Sequence, residues 1–111
     1  QPGERYAGLV LDAEGHASHH LVLLPGQAES VSWTAAKDWA DSAGGELPTR
    51  QEQSLLFANL KSEFKPRWYW SAEEYEDDSS YAWFQLFGNG RQGYYDKSFD
   101  ARARAVRRFA A

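Results

Sequence analysis

The sequence predicts an α+β fold, with two helices packed on a mostly antiparallel, twisted sheet, from three observations. Short apolar runs of strand character lie at both ends of the chain, two stretches between them repeat their apolar residues at helical spacing, and those two stretches follow one another directly. Helices segregated in this way exclude a doubly wound parallel sheet, which needs a helix after nearly every strand. The length of 111 residues is that of one domain spanning 1–111, because two cores sharing it would each be short of buried surface. Apolar residues make up 42% of the chain and aromatics 15%, enough to offset chain entropy without covalent staples.

Taken in order, Tyr6 to Asp12 and His20 to Leu24 flank the polar stretch Ala13-Glu14-Gly15-His16-Ala17-Ser18 and predict an amino-terminal hairpin over about 5–25, closed by Pro25-Gly26. Trp33, Ala36, Trp39, Ala40 and Ala43 recur at three- and four-residue spacing and predict a helix over about 33–43, with Ser32 as N-cap and Gly44-Gly45 as the stop. Thr49-Arg50-Gln51-Glu52 is a capping box, in which the threonine oxygen takes one orphan amide and the glutamate reaches back for another. It opens a second helix over about 49–64, striped by Leu55, Leu56, Leu60 and Phe64 and ended by Lys65-Pro66. The remainder, 68–109, reads as strands over Trp68 to Ser71, Tyr81 to Phe87, Gly93 to Tyr95 and Ala101 to Phe109, with Gly88-Asn89-Gly90 as a tight turn.

Composition removes several functions. The absence of cysteine excludes disulfides, zinc–thiolate sites and a cysteine nucleophile. A formal net charge of -4 argues against broad attraction to nucleic acid or anionic lipid. The longest apolar runs, Leu9 to Leu11 and Leu21 to Leu24, fall far short of the roughly 20 residues of a membrane span, so no membrane insertion is expected. The absence of methionine predicts a processed chain or part of a longer one.

Four segments carry a family resemblance. Gly45-Glu46-Leu47-Pro48-Thr49-Arg50-Gln51-Glu52 resembles the Gly-x-Leu-Pro-Thr-Arg-x-Glu signature of a bacterial and phage family of unknown function that also supplies the C-terminal domain of a collagen-like adhesin. Tyr69-Trp70-Ser71-Ala72-Glu73-Glu74-Tyr75 is similar to that family's Tyr-Trp-Ser-Ser-Thr-Glu-Tyr segment. Ala82-Trp83 with Phe87 and Gly90 follow, then Lys97 and Arg104-Ala105-Val106-Arg107-Arg108, so the likeness covers roughly 33–109 in the right order. It implies a C-type-lectin-like fold. The amino-terminal segment Tyr6-Ala7-Gly8-Leu9-Val10 resembles the phage- or prophage-encoded version, which implies a virion-associated or extracellular setting. Physically, Pro48 holds Leu47 extended and Thr49 caps, so the signature marks the fold and not a site, and Trp70 and Trp83 are expected in the core.

Candidate chemistry is sparse. His16, His19 and His20 cluster at the predicted hairpin tip, but a metal site needs preorganised ligands and only Glu14 lies near, so an exposed polar turn is expected. The acidic stretch Glu73 to Asp78 has oxygens for calcium. Sugar-binding members of the lectin fold typically carry Glu-Pro-Asn or Gln-Pro-Asp with Trp-Asn-Asp, and none of these occurs here. Arg102, Arg104, Arg107 and Arg108 are expected to pair with this acidic stretch or with Asp96 and Asp100, not to form a basic patch. No nucleophile elbow or phosphate loop occurs, and the lectin-like formylglycine-generating oxidase depends on active-site cysteines that this chain lacks. No enzyme activity, cofactor or metal ligand is therefore expected.

The remaining signal is the C-terminal hairpin. With Trp83, Gln85 and Phe87 inward, alternation turns Phe84 and Leu86 outward. Asn89, Arg91, Tyr94, Tyr95, Asp96, Ser98 and Phe99 add rigid aromatic anchors among adaptable polar groups, the composition of paratopes. In phage lectin-like tropism proteins the corresponding hairpin reads the ligand, so the resemblance implies a metal-independent binding face for a protein or glycan, including one on a bacterial surface. Two other readings stay open: Phe84 and Leu86 covered by the amino-terminal hairpin or by a second copy in a virion assembly protein, and a small metal-dependent hydrolase.

Overall fold

The amino-terminal alternation folds as β1 (Arg5–Leu11) and β2 (Ala17–Leu23), an antiparallel pair whose turn is built on Asp12: its Oδ1 accepts the amides of Glu14 at 3.0 Å and His16 at 2.9 Å. The structure is a computed structural model that describes residues 3–111. β3 (Ala28–Val31) follows, then α1 (Trp33–Ser42), capped by Ser32 Oγ, and α2 (Arg50–Leu60), opened by the complete Thr49–Glu52 capping box. A single 3₁₀ turn over Lys61–Glu63 extends α2, short of the predicted helical end at 64. β4 (Trp68–Glu74), β5 (Tyr81–Leu86), β6 (Gln92–Asp96), β7 (Ala101–Ala103) and β8 (Val106–Ala110) complete the chain.

The strands form two sheets where one was expected. One has the order β1-β2-β8 and the other β3-β7-β4-β5-β6, and every pairing is antiparallel except β4 with β7. The larger sheet is covered on both faces. Trp70, Ala82 and Phe84 pack with Trp33, Ala36 and Ala40 of α1, whereas Tyr69 and Phe87 pack with Leu56 of α2 and with Leu21, Leu23 and Val106 of the smaller sheet. Tyr69 and Trp70 are neighbours on β4, so the pleat sends them to opposite cores.

Two expectations about strands need correction. β3 was not legible, because Ala28-Glu29-Ser30-Val31 buries only Ala28 and alternates too briefly. The run Ala101 to Phe109 is two strands in different sheets, because Arg104 and Ala105 carry the chain from one sheet to the other. Arg104, 7% exposed, donates from Nη2 to the carbonyl of Leu24 at 2.8 Å and from Nη1 to that of Glu63 at 2.5 Å, and the Leu24 amide donates to Ala105 O at 3.0 Å. A buried guanidinium is tolerable only where carbonyls take its protons, and these carbonyls fix the crossing point.

The capping box does more than end a helix. Glu52 is 1% exposed, and its Oε1 accepts the Thr49 amide and Arg108 Nη2, each at 2.8 Å. Its Oε2 accepts Arg108 Nε at 2.7 Å and lies 2.6 Å from His19 Nε2, which carries the proton because an ionised carboxylate can only accept. Burial pushes the Glu52 carboxyl upward, but the Arg108 hydrogen bonds, the Thr49 amide, the Arg108 charge and His19 outweigh it and hold the group below its ordinary value. Nearby, a Cβ on Gly45 would collide with Val106 O and come within 2.8 Å of Leu24 Cδ1, so only glycine lets this segment lie against β8.

A depressed folded pKa means stability that is present above the unfolded value of ~4.3 and lost as the pH falls through the lower folded value. Glu52→Gln should lower unfolding free energy at pH 7 by about 2–4 kcal/mol, because Arg108 loses its buried counter-charge and keeps only the exposed Glu46. Urea titrations at pH 7 and pH 3 should show a smaller acid-induced loss in the variant than in the wild type.

Candidate functional site

The β5–β6 hairpin is fixed first by its turn. Gly90, at φ +80°, donates its amide to Leu86 O at 2.8 Å, the Leu86 amide donates to Arg91 O at 2.8 Å, and Asn89 Oδ1 accepts the Arg91 amide at 2.9 Å. Asn89, expected in the binding face, is thus a turn-forming residue. Period-two alternation along β5 holds, but both of its faces are covered, and the expected inside and outside are therefore corrected. Phe84 is 6% exposed and stacks on Trp68 at 4.1 Å and Trp70 at 5.2 Å, whereas Trp83 is only half-buried. The amino-terminal hairpin does not cover Phe84; Trp68, Trp70, Tyr95 and Phe99 do.

Beside Phe84 an open recess of about 380 Å³ is lined by Trp68, Phe84, Arg91, Gln92, Gly93, Tyr94, Tyr95 and Phe99. Tyr95 is 52% exposed and Phe99 41%, and their rings meet edge to face at 4.8 Å. Five of the predicted residues border it: Phe84 in the floor, Tyr95 and Phe99 in the wall, Arg91 at the rim, and Tyr94 along the strand with its ring turned to the other face against Tyr75 and Trp83. Leu86 is half-buried near the turn and does not line it. Asp96 and Ser98 form the following turn, where Asp96 Oδ1 accepts the Ser98 amide at 2.8 Å and hydroxyl at 2.7 Å, and these bonds hold its carboxyl below the ordinary range. Asp96 also borders a second recess of about 570 Å³ with Tyr81, Tyr94 and Tyr95. Trp68, Gln92 and Gly93 were missed; for Trp68 the signal was the uninterrupted Trp68-Tyr69-Trp70, which marks a strand buried on both faces.

The other face of the hairpin is tied to α2. The Arg50 guanidinium lies 3.5 Å over the Trp83 ring, Arg50 Nε donates to Gln92 Oε1 at 3.0 Å, and Gln92 Nε2 donates to Gln85 Oε1 at 2.8 Å. Gln85 Nε2 in turn donates to Gln53 O at 2.9 Å. Tyr75 stacks on Tyr94 at 3.7 Å, and the neighbouring Tyr94 hydroxyl, with desolvation second, pushes the Tyr75 phenol up to about 12.

The charged candidates have separate fates. Glu73 accepts the Arg50 amide at 2.8 Å, Glu74 pairs with Lys97, Glu76 accepts from Trp83 Nε1 at 3.2 Å, and Asp78 accepts the Ser80 amide at 2.9 Å, so the acidic carboxylates diverge. Among the described residues Arg102, Arg104, Arg107 and Arg108 form no ion pair with them, nor with Asp96 or Asp100. Arg102 pairs with Glu29 at 3.7 Å, Arg107 with Glu4 at 2.6 Å, and Arg108 with Glu52 and Glu46, because β7 and β8 lie across β4 from the acidic loop or in the other sheet. The histidines also separate: His19 turns in to Glu52, and His20 Nδ1 meets Tyr6 Oη at 2.8 Å. His16 stays at the tip with Asp12 and Glu14, and among the described residues these exposed three make the one group with potential ligand atoms within 4.8 Å of one another.

The chain matches no protein-family model, and no curated protein matches it. Among the described residues no helix is long and apolar enough to cross a membrane.

The stacked tyrosines give a direct check. A spectrophotometric titration should show a phenol ionising near pH 12, and Tyr94→Phe should return it towards the ordinary value of about 10. A wild-type protein whose phenols all titrate near 10 would show that the Tyr75–Tyr94 pair is not held together.

Proposed function

We propose that the protein is a non-enzymatic ligand-recognition module of the C-type-lectin-like fold, binding a protein or glycan without a metal through its C-terminal hairpin. The observation that carries the reading is the aromatic recess, where Tyr95 and Phe99 stand exposed over a floor of Trp68 and Phe84. Large rigid rings left in solvent beside the Arg91 guanidinium supply contact area at little entropic cost, with a polar group to orient what they hold. The four ordered segments similar to a bacterial and phage family support the fold, and the likeness of Tyr6 to Val10 to the phage-encoded version supports a phage or prophage source. Carboxylates and histidines that elsewhere would suggest hydrolysis are mostly engaged in caps, turns and ion pairs.

Binding to a panel of glycans and bacterial surfaces is the test. Tyr95→Ala and Phe99→Ala should each weaken the wild-type interaction roughly tenfold or more, about 1.4 kcal/mol, and a chelator should leave it unchanged. An interaction that survives both substitutions would place recognition elsewhere.

A second reading, assembly into a homo-oligomer, is favoured by a different surface from the one expected. Leu9, His20 and Phe109 stand in register across the three-stranded sheet, beside Tyr6 and Val22, and Tyr6, Leu9 and Phe109 are exposed large apolar side chains. Sedimentation should then show an oligomer that Leu9→Ser with Phe109→Ser dissociates; a monomeric wild type would eliminate this reading.

A further inference from the structure

β6 is an edge strand, and its pairing with β5 dictates what its outer side presents. The Leu86 amide bonds to Arg91 O at 2.8 Å at one end, and the Lys97 amide bonds to Ser80 O at 3.0 Å at the other. Antiparallel ladders bond through every second residue, so Arg91, Gly93, Tyr95 and Lys97 direct their amides and carbonyls at β5. Gln92, Tyr94 and Asp96 direct theirs away from the sheet, and no strand of the described residues lies beyond them. Asp96 O is taken by the Phe99 amide, which leaves both groups of Gln92 and Tyr94 and the amide of Asp96 for an incoming chain.

Edges of this kind are normally blunted by proline, lysine or a bulge. Gln92 to Asp96 contains neither residue type, and its register with β5 runs without a shift. Gly93 then opens the strand on the recess side: a Cβ there would lie 3.8 Å from both Phe84 Cε1 and Trp68 Cη2, an ordinary contact. Because Gly93 bonds inward, a residue facing it on an added antiparallel strand would occupy the closer, non-hydrogen-bonded type of pair, with its side chain across those two rings.

We propose that β6 is the docking edge for an extended polypeptide segment, which adds as a sixth strand and seats one large apolar side chain opposite Gly93 in the Trp68–Phe84 recess. The proposal rests on the reading of that recess as the recognition site and names its ligand class. A repeating row of backbone donors and acceptors matches another extended backbone, while the recess selects a side chain, the division of labour of strand addition. A second copy fits the edge less well, because antiparallel self-pairing centred on Tyr94 would set Arg91 against Lys97 at both ends.

The test selects binders from a display library of linear dodecapeptides and, in parallel, probes a glycan array. The selected peptides should share a large apolar residue. Gly93→Val, which suits a strand and fills the recess, should weaken them at least tenfold. Tyr94→Pro removes an outward amide that β5 does not use, and should bind at least tenfold more weakly than Tyr94→Thr, which loses the same ring but keeps the amide. Hydrogen exchange on the wild type gives a readout independent of any variant's folding: peptide should protect the Gln92 and Tyr94 amides. Peptides that bind without that protection would overturn strand addition. So would a glycan-only protein whose binding needs Phe99, with the recess reading left standing. Self-association abolished by Tyr94→Pro would assign the edge to a second copy and overturn the peptide, and binding to neither peptide nor glycan would overturn both proposals.

Discussion

A buried carboxylate costs several kcal/mol unless other groups replace the water it has lost, and Glu52 draws its replacements from three parts of the chain. The Thr49 amide joins it to the start of α2, Arg108 to β8 and His19 to β2. Removing any one leaves the others facing a charge with too few donors, so the helix start and the smaller sheet are held as a unit. Arg108 extends the joint by reaching Glu46 and the Leu47 carbonyl, and Glu46 bridges Val106 in the same place. The Gly45 to Glu52 segment is therefore a joint between helix and sheets, with glycine for close approach, Leu47 and Pro48 buried, and threonine and glutamate for the cap.

From that joint a polar relay runs to the hairpin. Arg50, the first residue of α2, stacks on Trp83 of β5 and bonds Gln92 of β6. Gln53, one turn further on, donates to the carbonyls of Tyr69 and Trp70 on β4, and its own carbonyl takes Gln85. Gln85 and Gln92 close the circuit. Because these amides bond one another and the backbone under cover, the position of β6 relative to α2 is set by hydrogen-bond geometry as well as by apolar packing. A strand held this way loses little further freedom when something binds to it.

What was legible in the sequence follows from how local each signal is. The caps at Ser32 and Thr49, the Asp12 turn and the hairpin at Asn89-Gly90 each need only a few consecutive residues, and each was readable. The break at Arg104 was not, because its cause lies in carbonyls 41 and 80 residues away in the chain. In the site, Tyr94, Tyr95, Phe99 and Arg91 declared themselves by composition, but the inside and outside of β5 did not. Alternation separates faces only when one is wet, and β5 is covered on both, so the parity that placed Trp83 inward gave no information about Phe84. Gly93 fell with that error, since it pairs with Phe84 on the face of β5 read as solvent, and Trp68 was missed although it shares a face with Trp70, which was expected in the core.

The parity of β6 separates stability from recognition. Gln92 and Tyr94 point to the α2 side, where the amide relay and the stack on Tyr75 hold them. Gly93 and Tyr95 point to the recess, where one has no side chain and the other is half exposed to solvent. Glycine inside a strand ordinarily weakens it by about 0.5–1 kcal/mol, and here the anchored neighbours on the opposite face offset that loss. On the proposed reading, residues on the recess side can change with the ligand while the other side keeps the strand in place. Phe99 extends the same logic beyond the strand, since it packs on Tyr95 and Phe84 from a turn whose shape is fixed by Asp96 and Ser98 and not by the ring itself.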